Sequence, residues 1–118
     1  MSYQYVPWGS GPAKTPLVNR RATVRYQCAP ATPGRVIVAG DHEFQRAWVL
    51  DISTKGVGLL MSRSFDPGVL VTIHLKGIKK TFELSARVVH STPQSSGDWV
   101  VGCALFTPLC QDDLDDVL

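Results

Sequence analysis

The feature that most constrains this chain is its rhythm. From Arg21 onward, apolar residues come in short runs that alternate with polar ones, and each run is cut by glycine, proline or aspartate. A period of two sends successive side chains to opposite faces of a strand, whereas a helix needs apolar residues three and four apart. Val24, Tyr26 and Cys28 alternate in this way with Thr23, Arg25 and Gln27. Pro30, Pro33 and Gly34 follow, so this first strand is expected to be bent or interrupted before 35–39 resumes it. Gly40 and Asp41 mark a turn, and 44–50 reads as the second strand. Residues 51–56 form a turn-rich hexapeptide, and 57–61 a short third strand. Asp66, Pro67 and Gly68 give another turn before the alternating run 70–75. Residues 77–80 read as a basic hairpin tip, 82–90 as a fifth run, 91–97 as a polar loop and 99–106 as a sixth run. Helical character enters only at 111–118. The expected fold class is all-β: a six-stranded antiparallel barrel, closed or nearly so, with a short C-terminal helix.

Composition narrows what such a barrel does. At 118 residues the chain is long enough to bury one core without disulfides or structural metal. Lysine and arginine number 12 against 10 aspartates and glutamates, so no general polyanion binder is indicated, and any basic function must be local. One cluster stands out: Arg20, Arg21 and Arg25. Cys28, Cys103 and Cys110 form no CxxC pair, and their odd number suits reduced thiols in a cytoplasmic protein better than a secreted disulfide framework. His42, His74 and His90 stand at no metal-ligand spacing, so no metal or other cofactor is expected. Trp48 and Trp99 read as core or barrel-rim aromatics, and Lys76, Lys79 and Lys80 as solubilising charges on the hairpin tip. The aspartates at 112, 113, 115 and 116 suit the start of a helix that packs through Leu114 and Leu118. Residues 1–19, rich in glycine, proline and serine with Tyr3, Tyr5 and Trp8 scattered among them, read as a flexible arm ahead of a barrel domain at 20–118. No signal peptide and no apolar run of membrane-spanning length is expected.

Two motifs carry the chemistry. Arg21-Ala-Thr-Val-Arg25 is an RxxxR with Arg20 directly ahead, and Asp51-Ile-Ser53-Thr-Lys-Gly56 is a DxSxxG. The arginines start the first strand, and the hexapeptide follows the second. In an antiparallel pair those places lie at the same end. Guanidinium groups and oxygen acceptors are therefore expected to face a common ligand. A phosphorylated guanine suits them. Its O6/N7 edge matches a guanidinium fork, and its N1–H and N2–H donors can be accepted by Asp51 and Ser53. Phosphates would take the spare arginines and the turn backbone. Gly56 would let the backbone turn sharply or approach the ligand closely. A structural role for Asp51 and Ser53, as an Asx- or ST-turn, uses different atoms and coexists with this one.

With both motifs in order, the chain resembles the PilZ domain family. Phe65-Asp-Pro-Gly68 with Val71-Thr-Ile73, and the run from Trp99 to Phe106, are similar to the family's later strands, so the resemblance spans about 19–109. It implies a receptor for cyclic di-GMP rather than an enzyme. Arg21 and Arg25 would be the principal contacts to guanine and phosphate, Asp51 and Ser53 would read the other guanine edge, and Gly56 would shape the loop. Arg20 stands where the family's arginine accompanies binding of an intercalated ligand dimer. The expected output is relay to a downstream protein partner through ordering of the arm, with no nucleic acid polymer and no membrane as partner. The alternatives are a PilZ-like adaptor that binds no nucleotide and a small nucleic-acid-binding barrel.

Overall fold

The computed structural model describes residues 25–118, with the side chains of Ala29 and Pro30 excepted. The arm at 1–19, and Arg20 and Arg21, lie outside the described residues. Six strands follow in order: β1 (Arg25–Val38), β2 (Gln45–Ser53), β3 (Gly56–Met61), β4 (Leu70–Lys76), β5 (Thr81–Pro93) and β6 (Trp99–Leu105). A single helix among the described residues, α1 (Gln111–Val117), follows the strands. All strand pairs are antiparallel, and the order β1-β2-β3-β6-β5-β4 closes on itself through β1 and β4. The all-β barrel with a C-terminal helix is thus the observed architecture.

Alternation builds the interior. In β4, Val71, Ile73 and Leu75 are buried while Leu70 and Lys76 face out. Val36, Ala47, Val49, Ile52, Val57, Leu59 and Cys103 join them in one continuous core. Phe65 is tied to β5 by paired bonds, its N–H donating to Ser91 Oγ at 3.0 Å and its carbonyl accepting from that hydroxyl at 2.8 Å.

Three elements depart from the sequence reading, each for a traceable reason. β1 is continuous rather than interrupted, because a bulge takes up Pro30 while Pro33 stays in register opposite Trp48. Gln27 pairs with Asp51 and Thr32 with Val49, so four residues of β1 stand against Leu50 alone. Pro30 lies in that stretch, where a missing N–H costs the ladder little. β2 runs on through Ser53, leaving only Thr54 and Lys55 as the turn. β5 extends to Pro93, because Ser91 and Thr92, read as loop, pair with Val101 and Val100. Trp48 also corrects an expectation. Flanked by inward-facing Ala47 and Val49, it points out of the barrel in mid-strand and is 48% exposed. Trp99 is half-buried against the core.

The helix plugs the end of the barrel at which β1 begins and β2 stops. Leu114 and Val117 are buried in the core, with Leu118 packed partly against it. Asp116, expected only as one of the charges near the helix start, is buried. Its carboxylate accepts the N–H of Lys79 at 2.7 Å and of Lys80 at 3.2 Å. A Cβ at Gly77 would overlap that carboxylate, so this glycine is what lets the helix dock on the hairpin. Lys80 Nζ meets Asp113 Oδ1 at 2.7 Å on the surface, raising the lysine's pKa and lowering the carboxyl's through their mutual hydrogen bond.

Candidate functional site

The mouth beside this helix gathers the two motifs. Arg25 opens β1, Asp51 and Ser53 end β2, and Gly56 opens β3. In register, Arg25 faces Ser53 and Gln27 faces Asp51.

A second irregularity aims these side chains. Strict alternation through Ala47 and Val49 would carry Asp51 and Ser53 into the apolar interior. The β2–β3 register instead shifts between Val49 and Asp51, pairing Val49 with Leu59 and Asp51 with Gly58. After the shift Ile52 takes the core position, and Leu50 joins Val100 in a separate cluster. Asp51 and Ser53 are thereby turned onto the face where Arg25 lies. An extra strand residue that re-aims side chains is the usual effect of a bulge.

The contacts are short. Arg25 Nη2 donates to Asp51 Oδ1 at 3.1 Å, and Nη1 donates to Ser53 Oγ at 3.2 Å. The Arg25 side chain is only 9% exposed. Asp51 is 4% exposed and Ser53 fully buried. Ser53 Oγ also accepts the N–H of Gly56 at 3.0 Å and of Lys55 at 3.3 Å, and donates to the Gly56 carbonyl at 3.4 Å. The hydroxyl therefore clamps the β2–β3 turn while it steadies the guanidinium.

Of the two roles expected of Gly56, a sharp turn or a close approach to a ligand, the structure does not show the turn. This residue is not among the glycines with positive φ, which are Gly40, Gly68 and Gly97 among the described residues. Space is what it supplies. A Cβ there would sit 3.0 Å from Arg25 Nη1 and 3.0 Å from the Cys103 carbonyl. The spacing of DxSxxG thus makes sense as one unit: acid and hydroxyl hold an arginine, and the glycine leaves room for it against β6.

Cys28 is a neighbour that the sequence reading passed over. Burial pushes its thiol up to about 11, against a hydrogen bond with Thr32 that lowers it, and the nearby Asp51 charge adds to the rise. Its place in the alternation of β1 was the available signal. Among the described residues no group of three or more His, Cys, Asp and Glu side chains is placed to hold a metal ion. None of their helices is long and apolar enough to cross a membrane.

This mouth therefore holds a cation, a carboxylate and a clamped turn within hydrogen-bond reach of one another. The family model for the PilZ domain matches residues 19–117. The chain belongs to the PilZ domain family. PilZ domains are receptor and adaptor modules associated with cyclic di-GMP, and they are not typically enzymes. No curated protein matches the chain. Among solved structures it is similar to the Bacillus subtilis inhibitor of motility (MotI/DgrA), with a TM-score of 0.67 at 16% identity. That likeness, which concerns the fold, covers 85% of this chain and 49% of the Bacillus protein. This PilZ domain thus spans about half the length of that relative.

Proposed function

We propose that this PilZ domain is a cytoplasmic receptor that binds cyclic di-GMP at the mouth formed by Arg25, Asp51, Ser53 and Gly56. Arg20 and Arg21, immediately ahead of β1, complete the site. Arg21 and Arg25 take the O6/N7 edge of guanine and the phosphates, and Asp51 and Ser53 accept from its N1–H and N2–H edge. Arg20 accommodates a second, intercalated ligand molecule. The arm at 1–19 orders on binding and, as the output, presents a new surface to a protein partner.

One observation carries the reading. Arg25 of the first motif touches Asp51 and Ser53 of the second, across 26 and 28 positions of sequence, at a single mouth. A guanidinium held from behind by acid and hydroxyl loses less freedom when it meets a planar ligand edge. The adaptor reading has its own observation, the full burial of Ser53.

Alanine substitution at Arg21 and at Arg25 separates the two. Each is expected to weaken cyclic di-GMP binding by about 1–3 kcal/mol, the worth of one bidentate contact. Binding that is unchanged in both variants, or absent from the native chain, refutes the receptor reading and leaves the adaptor.

A further inference from the structure

A second face of the barrel, away from this mouth, has the composition of a recognition surface. Arg35 lies ten residues beyond Arg25 along β1, and its partner Arg46 seven residues before Ser53 along β2, about 23 Å of extended chain. It is exposed, and directly opposite it on β2 stands Arg46, also exposed. On its other side it pairs with His74 of β4, which in turn pairs with Glu83 of β5. A single row across four strands therefore reads arginine, arginine, histidine, glutamate.

Beside the row, Phe44 is 48% exposed. The Arg35 guanidinium lies 5.8 Å from its ring centroid, and His74 meets it edge-on at 4.9 Å. His74 Nδ1 stands 3.7 Å from Glu83 Oε2, the one acid in the row. Trp48, equally exposed, pairs with Pro33 on the adjoining row. Beside Phe44 a groove of about 390 Å³ is lined by Pro33, Arg35, Phe44, His74 and Lys76 among others.

Two ordinary explanations for such residues fail here. Exposed charges often guard a sheet edge from pairing, but at Arg35 β1 is bonded to β2 on one side and to β4 on the other. Charged cross-strand pairs usually stabilise by opposite sign, yet Arg35 and Arg46 face each other with like charge, an arrangement that costs stability. Among the described residues neither is in a salt bridge. Exposed aromatics set among unpaired cations are what an interface supplies.

We infer that this face docks an acidic protein segment that carries an aromatic or large apolar anchor residue. The anchor enters the groove between Phe44 and Pro33, and flanking carboxylates meet Arg35, Arg46 and Lys76. The groove accommodates one such anchor. A single-stranded nucleic acid would need a longer basic track with successive stacking platforms. The inference deepens the relay half of the proposed function and rests on that reading for the existence of a protein partner, but not on nucleotide binding.

The test is amide-shift mapping on the full chain with a blocked heptapeptide of alternating aspartate and glutamate around a central phenylalanine. Saturable shifts are expected at Gly34, Arg35, Phe44, Arg46, Trp48 and His74, with a dissociation constant on the order of 1 mM or tighter. The double variant Arg35→Glu, Arg46→Glu, both positions exposed, is expected to keep the native melting temperature and weaken the peptide at least tenfold. A peptide with alanine in place of phenylalanine is expected to bind more weakly. No saturable shift on this face, or equal binding by the double variant, overturns the inference. A hexathymidine that binds there more tightly than the peptide overturns it in favour of nucleic acid. Cyclic di-GMP titrated into the same double variant keeps the readings apart: loss of peptide binding with nucleotide binding intact strikes only this face, and the converse strikes only the mouth.

Discussion

Arg25 and Gly56 are the residues on which the mouth turns, and their roles are separable. Gly56→Ala puts a methyl group 3.0 Å from Arg25 Nη1 and from the Cys103 carbonyl. Either the guanidinium leaves Asp51 or β3 moves from β6. We expect this variant to unfold at lower denaturant, by about 1–3 kcal/mol for an overpacked site, and to bind cyclic di-GMP more weakly. Denaturation and titration of the one protein measure both. Ser53→Ala is expected to cost about 1–3 kcal/mol, because buried N–H groups of the turn lose their acceptor. The thiols give a pH signature. Burial raises Cys103 to about 12 and Cys28 to about 11, above the ordinary value of 9.0. The unfolded chain therefore loses these protons first as pH rises, so their contribution is intact below pH 9 and is lost between pH 9 and 12. Up to about a tenfold fall in the folded-to-unfolded ratio per pH unit is expected from each thiol. Denaturation midpoints measured at pH 8 and pH 10 should fall apart less in Cys103→Ala than in the native chain.

The elements show where sequence reasoning succeeds and where it stops. Alternation marked β1 and β4, while the other strands, such as the short apolar run at 57–61, were legible from the turn residues that bound them. Bulges carry no such signal. The one at Leu50 decides that Ile52 goes inside and that Asp51 and Ser53 meet Arg25, yet nothing in the local composition marks it. The motifs betrayed the convergence even though the turn reading put Asp51 and Ser53 in the wrong kind of element. Asp116 was illegible for another reason: its partners are backbone N–H groups 36 and 37 positions away, and an aspartate in an acidic helix looks solvated. Asp116→Ala should therefore cost about 1–3 kcal/mol, while exposed Asp112→Ala should fall within about 0.5 kcal/mol of native. Urea denaturation of the two variants side by side checks this contrast.

At the scale of the whole molecule, the described residues form a barrel closed by β1 and β4 and plugged by α1, so function is read from its mouths and outer faces. The mouth offers an arginine braced by acid and hydroxyl, in a chain whose family is associated with cyclic di-GMP. The outer face of β1, β2 and β4 offers unpaired cations among aromatics for a partner. With a dinucleotide bound at the one and a protein at the other, as proposed, the two places would form a signal relay. The most direct test is calorimetric titration of the full chain with cyclic di-GMP. We predict saturable heat with two ligand molecules per chain, reduced to one or weakened by Arg20→Ala and weakened about tenfold or more by Arg21→Ala. A native chain that gives no saturable heat at millimolar ligand would contradict the account.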